Sequence, residues 1–234
     1  MDNRKISVCI TSWQRYQETL ESFVQVANND KISEIIIVDD CSDIDVYKKL
    51  EIAVSFCPKV KLFRNIFNRD CYENKMTAVS YSNNERCIIW DSDNILTNDF
   101  IYTLYSVPYW EEDTIYQPAW AQPLFDFRAY AGLTFTKENI AEYIDKPMVS
   151  TLLNAMNYMV SRDKYLEVWQ PDINPHTADS ILQNYNHLNS GGKIYVVPEL
   201  FYEHRVHDGS HYKNNVHLTG NLYHEIENKL RQLK

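Results

Sequence analysis

The sequence predicts an α/β fold in which helices flank a mostly parallel central sheet. Three observations lead to this expectation. Apolar runs of strand length alternate with amphipathic runs of helical period, polar residues follow each of the early strands, and no linker separates the first half of the chain from the second. Strict alternation of strand and helix favours βαβ units, whose strands are parallel and joined by right-handed crossovers.

Four strands and three helices are predicted in the first ninety-odd residues. Each strand is an apolar run with polar residues at its end, and the four runs cover 5–11, 34–40, 59–65 and 86–93. The helices have apolar residues at helical spacing and cover 15–28, 45–56 and 71–82. This half therefore reads as three successive βα units that end on a fourth strand.

The second half has a looser pattern. Strands are expected at 114–120, 127–135 and 193–206, a strand running into a helix at 155–169, and helices at 100–107, 176–192 and the C-terminus. The helix at 176–192 has a stop signal in Gly191-Gly192. We interpret this half as an extension of the same sheet.

Composition excludes several classes of protein. An apolar fraction of 44% and an aromatic fraction of 13% are typical of a globular chain. The net charge of −9 argues against a nucleic-acid partner, because such proteins present a basic surface. No apolar stretch has the length of a transmembrane segment or of a signal peptide, and the five cysteines form no CxxC pair. These features predict a cytoplasmic location with reduced thiols.

Polar residues at the ends of the four early strands predict a binding site. They lie in the segments Thr11–Trp13, Asp39-Asp40, Asn65–Asn68 and Asp91–Asp93. In open α/β sheets, ligands bind beyond the carboxyl ends of the strands. With five glycines in the chain, neither a GxGxxG motif nor a phosphate-binding P-loop can be formed.

The Asp91-Ser92-Asp93 segment has two interpretations. Carboxylates at the end of a buried strand suit a hard divalent cation, but a solvated turn explains the same spacing. A second Asp-x-Asp pattern, Asp43 to Asp45, follows the second strand, where Ser42 or Asp43 would serve as an N-cap. We interpret that second pattern as structural.

A cluster of histidines lies near the C-terminus. His204, His207 and His211 surround an Asp-Gly turn. They form either a polar loop, a zinc site without the usual cysteine or HExxH frame, or a source of one further ligand for a cation at Asp91 and Asp93.

Taken in order, six segments resemble the GT-A glycosyltransferases of family 2 over roughly residues 5–210. They are ISVCITSWQR, IIIVDDCSD, NIFNRDCYENKMTAV, CIIWDSDN, HTADSILQNYNHLNSGGKIYVVP and YEHRVHDGS. The resemblance implies a single GT-A domain over 1–234. It would comprise a Rossmann-like nucleotide-binding half at about 1–98, an acceptor-binding half continuous with it at about 99–217, and a C-terminal helix at 218–234.

The resemblance also implies roles for individual residues. Those matched to binding of a nucleotide-sugar donor, with UDP favoured, are Thr11, Trp13, Asp40, Asn68, Asn74, Asp91 and Ser92. Asp93 matches a ligand of Mn²⁺ or Mg²⁺, with Asp91 and His207 as further ligands. Asp179 matches the catalytic base, and the structural alternative is an N-cap or a solvated Asp in the first turn of a helix.

Two positions depart from the family pattern. Ala178 stands where a Glu usually precedes the base, and the segment NRD lacks the usual glycine after Asn68. The first departure removes a neighbour of Asp179, and the second puts the local geometry of the nucleotide loop in doubt.

The function that the resemblance implies is metal-dependent, inverting transfer of a sugar to a hydroxyl of a glycan or another acceptor. Two rivals are a sugar-nucleotide nucleotidyltransferase and a non-catalytic nucleotide-sugar or carbohydrate-binding module. A nucleotidyltransferase typically has a glycine-rich basic loop after the first strand, whereas this chain has TSWQRYQET.

Overall fold

The computed structural model describes residues 4–205 and 219–234. Its strands form one nine-stranded sheet in the order β3-β2-β1-β4-β8-β5-β9-β7, with β6 paired to β5. The strands β1 to β9 are Ile6–Ser12, Ile32–Asp39, Val60–Arg64, Arg86–Asp91, Thr114–Gln122, Phe125–Asp126, Thr134–Phe135, Tyr158–Ser161 and Lys193–Glu203. The α-helices of the described residues, α1 to α9, are Tyr16–Phe23, Ile44–Val54, Asp70–Ser80, Asn98–Ser106, Ile140–Tyr143, Val149–Leu153, Arg162–Glu167, Asp179–Asn189 and Gly220–Leu230.

Most strands of the sheet run in one direction. The pairs β1–β2, β1–β4, β2–β3 and β5–β9 are parallel, whereas β8 is antiparallel to both β4 and β5. The short strands β6 and β7 are antiparallel to their partners. The mostly parallel α/β sheet predicted from the sequence is therefore confirmed, and β8 joins the two halves of the chain within it.

Each face of the sheet is covered by apolar side chains. Helices α1, α2 and α4 pack on one face, where Trp90 and Phe100 are among the buried side chains. Helices α3, α6, α7, α8 and α9 pack on the other face, around residues such as Tyr158 and Ile181. Two covered faces explain why the early strands are near-continuous apolar runs.

Two predicted elements differ from the structure. The helix predicted at 15–28 ends at Phe23 and continues as a 3₁₀ turn at Val24–Val26. The side chain of Asn29 accepts a hydrogen bond from the amide of Lys31 at 2.9 Å, and this turn directs the chain into β2.

The strand predicted at 127–135 is wrong for most of its length. A 3₁₀ turn occupies Arg128–Tyr130, and strand pairing begins at Thr134. Gly132 has a φ of +82°, a left-handed conformation that turns the chain, and its amide donates to the carbonyl of Val196 at 2.8 Å. Aromatic residues made this segment look extended, but the turn at Gly132 interrupts it.

None of the helices in the described parts of the chain is both long and apolar enough to cross a membrane. The five cysteines carry free thiols, of which Cys9, Cys57 and Cys87 are buried.

Candidate active site

A cavity of about 810 Å³ opens beyond the carboxyl ends of β1, β2 and β4. Every site residue predicted from the sequence that falls within the described residues lines it: Thr11, Trp13, Asp40, Asn68, Asn74, Asp91, Ser92, Asp93 and Asp179. The remaining predicted residue, His207, lies outside the described residues. The cavity therefore brings together residues from both halves of the chain.

The floor of the cavity is set by the register of β1 and β4. Thr11 on β1 lies opposite Asp91, the last residue of β4. The amide of Asp91 donates to Oδ1 of Asn157 at 3.0 Å, and the amide of Asn94 donates to the carbonyl of Asp91 at 3.1 Å. These bonds fix the turn that carries Asp91 and Asp93, so both carboxylates stand on rigid backbone.

Two buried or half-buried cations lie beside these carboxylates. Nη1 of Arg15 is 2.8 Å from Oδ2 of Asp93, and Nζ of Lys75 is 3.1 Å from Oδ1 of Asp91. Arg205 also donates to the backbone carbonyl of Asp93 and pairs with Glu21 at 2.6 Å, which lowers the pKa of Glu21. Positive charge is thus built into the protein around the acidic strand end.

Asp179 faces the same lysine from the opposite wall. It is the first residue of α8, and its Oδ2 lies 2.8 Å from Nζ of Lys75. Burial would lower the pKa of Lys75, but the carboxylates of Asp179 and Asp91 raise it well above its ordinary value. Burial raises the pKa of Asp91, an effect that Lys75 opposes. One ammonium group therefore links Asp91, at the end of β4, to Asp179, the predicted base.

Arg15 and Lys75 line the cavity as well, and neither was among the site residues predicted from the sequence. Arg15 is 78 positions from its partner Asp93, and no local pattern links them. A signal for Lys75 did exist, because it lies on the same buried face of α3 as Tyr72 and Val79, at helical spacing. A lysine on an inward helix face requires a buried partner.

The loop after β3 is held by a hydrogen-bond network around Asp40. Oδ1 of Asp40 accepts from Nδ2 of Asn65 and from the amide of Arg69, both at 2.8 Å. Asn65 also donates to Oδ1 of Asn74 at 3.0 Å, and Nδ2 of Asn68 donates to the carbonyl of Asp40 at 3.2 Å. Burial raises the pKa of Asp40, while the bond from Asn65 opposes the rise. Asn68 and Asn74 therefore shape the wall that they line.

The missing glycine of the NRD segment has a structural consequence. Asp70 has a φ of +66°, the left-handed conformation that glycine adopts most easily. Its Oδ2 lies 3.3 Å from Nδ1 of His176, and Sγ of the neighbouring Cys71 donates to the carbonyl of His176 at 3.1 Å. The loop thus turns at Asp70 without a glycine, and it contacts the segment that precedes α8.

The opposite wall of the cavity is polar but uncharged over much of its surface. Its lining residues include Thr151, Asn154, Met156, Thr177, Ser180 and Tyr223. Tyr223 comes from α9, and its hydroxyl is 2.6 Å from Oγ of Ser150. Hydroxyl and amide groups of this kind can hydrogen-bond a polyhydroxylated ligand.

The candidate cation site consists of Asp91 and Asp93. Within residues 4–205 and 219–234, no group of three or more His, Cys, Asp or Glu side chains is arranged to hold a metal ion. Two carboxylates have the right chemistry for Mn²⁺ or Mg²⁺ but leave further positions for other oxygen ligands. His204 also lines the cavity.

The second Asp-x-Asp pattern lies elsewhere. Asp43 precedes α2 as its N-cap residue, but its side chain makes no capping hydrogen bond. Oγ of Ser42 instead bonds Oδ1 of Asp39 within the loop. Neither Asp43 nor Asp45 lines the cavity, which agrees with the structural interpretation of this pattern.

Comparison with known proteins gives one family match. The model of glycosyl transferase family 2 matches residues 7–149, more than half of the chain. No curated protein gives a significant sequence match.

Solved structures resemble the chain at low sequence identity. S. aureus TarS 1-349 in complex with UDP-GlcNAc is 14% identical, with a TM-score of 0.71 over 95% of this chain and 66% of that one. A longer S. aureus TarS chain is 13% identical, with a TM-score of 0.65 over 93% of this chain and 39% of that one. The mannosyltransferase PcManGT from Pyrobaculum calidifontis, in complex with GDP-Man and Mn²⁺, is 11% identical, with a TM-score of 0.61 over 92% and 61%. These likenesses show a shared fold, and this chain spans 39% to 66% of those TarS chains.

Proposed function

The chain belongs to glycosyl transferase family 2, and on that premise we propose that it transfers a sugar from a nucleoside diphosphate sugar to an acceptor hydroxyl. The observation that carries the proposal is the meeting of Asp91 and Asp93 with Asp179 across one cavity. A strand-end carboxylate pair suits a diphosphate with its cation, and a carboxylate on the facing wall suits a hydroxyl nucleophile.

The donor would bind along the ends of β1 and β2. Half of the Trp13 side chain is exposed at the cavity, where its ring can cover a nucleoside. We propose UDP as the nucleotide, with Asp40 accepting a hydrogen bond from the base. Support comes from TarS 1-349, which was solved with UDP-GlcNAc, although PcManGT was solved with GDP-Man.

Asp91 and Asp93 would hold Mn²⁺ or Mg²⁺ together with oxygen atoms of the diphosphate, and His207 remains a predicted third protein ligand. The donor set fits such an ion in part, because both side chains are carboxylates on fixed backbone but Asp93 pairs with Arg15. When bound, the ion supplies positive charge that stabilises the departing diphosphate.

The transfer would be a single inverting displacement. The acceptor oxygen attacks the anomeric carbon from the side opposite the diphosphate and forms the new C–O bond as its proton passes to the carboxylate of Asp179. The bond from the anomeric carbon to the phosphate oxygen breaks, and its electron pair leaves with the nucleoside diphosphate. Oδ2 of Asp179 lies 2.8 Å from Nζ of Lys75, and this ion pair orients the carboxylate that would accept the proton.

Substitution of Asp179 tests this assignment. We expect Asp179→Asn to lower transfer by about 10²- to 10⁴-fold, since the amide cannot accept the proton, while UDP binding with Mn²⁺ stays unchanged. Transfer would be measured with UDP-, GDP- and dTDP-sugars, with and without EDTA, and nucleotide binding by calorimetry. Asp163→Asn is a matched control, because the Asp163 side chain is 80% exposed and lies outside the cavity.

The same measurements separate the rival functions. Turnover of Asp179→Asn at the wild-type rate would remove Asp179 from the role of base. A binding module would bind nucleotide sugars without turnover, and a nucleotidyltransferase would consume a nucleoside triphosphate with a sugar phosphate. Binding without turnover, or nucleotidyl transfer, would contradict the proposed function.

A further inference from the structure

Lys75 is the only cation of the described residues that is seen to pair with both Asp91 and Asp179. Its side chain is 5% exposed, and its Nζ lies 3.1 Å from the first carboxylate and 2.8 Å from the second. We propose that Lys75 is a positioning residue of the transfer reaction, which holds the carboxylate of Asp179 in place and acts through it. This inference rests on the proposed function.

The contacts of Asp179 explain why Lys75 determines its orientation. Asp179 is the first residue of α8, yet its side chain does not cap that helix. Oδ1 receives a long hydrogen bond of 3.4 Å from Oγ of Ser180, whereas Oδ2 has the short contact with Lys75. The short ion pair therefore fixes Oδ2, and Oδ1 is the oxygen available to receive a proton.

Helix α3 is well placed to support this arrangement, because it contacts α8 and the segment before it at other points. The hydroxyl of Tyr72 donates to Oε1 of Gln183 at 3.1 Å, and Asp70 pairs with His176 at 3.3 Å. These contacts fix the backbone of α8 against α3 without touching the carboxylate of Asp179. Lys75 adds the contact that orients the side chain itself.

The balance of charge points the same way. Two cationic side chains, Arg15 and Lys75, line the cavity together with five carboxyl groups, those of Asp40, Asp70, Asp91, Asp93 and Asp179. Loss of Lys75 would leave the buried carboxylate of Asp179 without its ion-pair partner, so the side chain could rotate away from its present orientation. Such a rotation would displace the predicted base from its place in the cavity.

Lys75 also contacts Asp91, and action through that residue is the alternative that the experiment must separate. If that mode dominated, loss of the lysine would weaken binding of the donor and its cation. Action through Asp179 would instead slow the chemical step and leave donor binding nearly unchanged. The two modes therefore differ in their effects on kcat and on donor affinity.

The test uses the full chain with Lys75→Met, which keeps the length of the side chain and removes its charge. We expect kcat to fall by about 10- to 100-fold, with the donor KM and the Kd for UDP with Mn²⁺ within about threefold of wild type. Lys75→Arg should recover part of the lost kcat, because the charge returns. Lys61→Met is the matched control, since Lys61 pairs with Glu34 at 2.6 Å away from the cavity, and its kcat should stay unchanged. An unchanged kcat in Lys75→Met, or a Kd that rises in step with the fall in kcat, would overturn the proposal.

Thermal unfolding gives a readout that does not depend on activity. The melting temperature can also be compared for variants that are less stable than wild type. If Lys75 acts on Asp179, adding Asp179→Asn to Lys75→Met should restore melting temperature, because it removes the uncompensated charge. A further loss in the double variant would contradict the link between the two residues. Absence of transfer by the wild-type chain would refute the proposed function. The melting temperatures of the single and double variants would still decide whether Lys75 stabilises the carboxylate of Asp179.

Discussion

At the scale of single residues, the ion pair of Arg15 with Asp93 occupies the carboxylate proposed to bind a divalent ion. Their side chains are 2.8 Å apart, and each is 18% exposed. A divalent ion at Asp93 must compete with this guanidinium, which already neutralises the carboxylate. Arg15 is therefore a counter-ion for Asp93 supplied by the protein itself.

Substitution of Arg15 should strengthen metal binding in the absence of nucleotide. A partly buried pair of this kind contributes about 1 kcal/mol, so we expect Arg15→Met to lower the Kd for Mn²⁺ about fivefold. Calorimetric titration of Mn²⁺ without nucleotide measures this effect. Arg231→Met is the control, because Arg231 pairs with Asp145 at 2.9 Å on the surface and should leave the Kd unchanged. An equal or higher Kd in Arg15→Met would contradict competition at Asp93.

The strand-end residues could be predicted from the sequence, but their ion partners could not. Asp40, Asp91 and Asp93 each follow an apolar run, and the rule that parallel strands share one edge brings them together. Arg15 and Lys75 reach them through tertiary contacts: no local pattern links Arg15 to Asp93, and the helical spacing of Lys75 indicates burial without identifying its partners. The resemblance identified Asp179 in advance, and the pairing of that residue with a buried lysine emerged only from the structure.

At the scale of elements, His187 links α8 to the sheet. Its Nε2 lies 2.9 Å from the carbonyl of Asp113, just before β5, and 3.1 Å from that of Lys193, the first residue of β9. Two carbonyl partners require Nε2 to be the protonated donor, and Nδ1 is buried without a hydrogen-bond partner. Packing here is tight, because a Cβ at Gly192 would lie 2.4 Å from the ring.

These contacts predict a pH-dependent stability. Burial is the main cause that lowers the pKa of His187 to about 4, whereas an unfolded histidine has a pKa of about 6.5. Between these values the unfolded chain binds more protons than the folded one, so stability falls as the pH falls from 6.5 towards 4. Between pH 7 and pH 5 we expect this residue to cost the protein about 2 kcal/mol of unfolding free energy.

Urea unfolding of wild type and His187→Gln at both pH values measures the effect. The glutamine amide can still donate to the carbonyls but does not titrate, so its loss of stability between pH 7 and pH 5 should be smaller by that amount. His224→Gln serves as the control, because His224 is 76% exposed. Equal losses in wild type and His187→Gln would contradict the assignment.

The elements themselves were predicted with different success. Helices such as α3 and α8 followed from apolar spacing, because each buries one face against the sheet. The prediction of a strand at 127–135 was wrong because its aromatic residues lie around a turn at Gly132 instead of forming a strand. The glycine within this apolar run was the sequence signal that a turn could be present.

At the scale of the whole molecule, β8 determines how the halves combine. It lies late in the chain, at Tyr158–Ser161, but it pairs with β4 on one side and with β5 on the other. Sequence patterns indicate that such a strand exists, but its neighbours depend on long-range pairing that no local signal specifies. The sheet continues across both halves, in support of the proposal that residues 1–234 form one domain.

A fragment of residues 1–98 provides the test of this proposal. Its length would suit an independent domain, but it would lack β8 and leave the edge of β4 unpaired. It would also lose Arg162, which donates to the carbonyls of Ser82 and Ser80 at 2.9 and 3.0 Å, and it would lose Asp179, the partner of Lys75.

We expect the fragment to give a poorly dispersed ¹⁵N–¹H spectrum. The full chain should unfold in urea in one transition that is the same by far-UV circular dichroism and by tryptophan fluorescence. A well-dispersed spectrum for the fragment, or two separate transitions in the full chain, would mean that the first half of the chain folds independently. In that case β8 would dock on a preformed sheet instead of completing it.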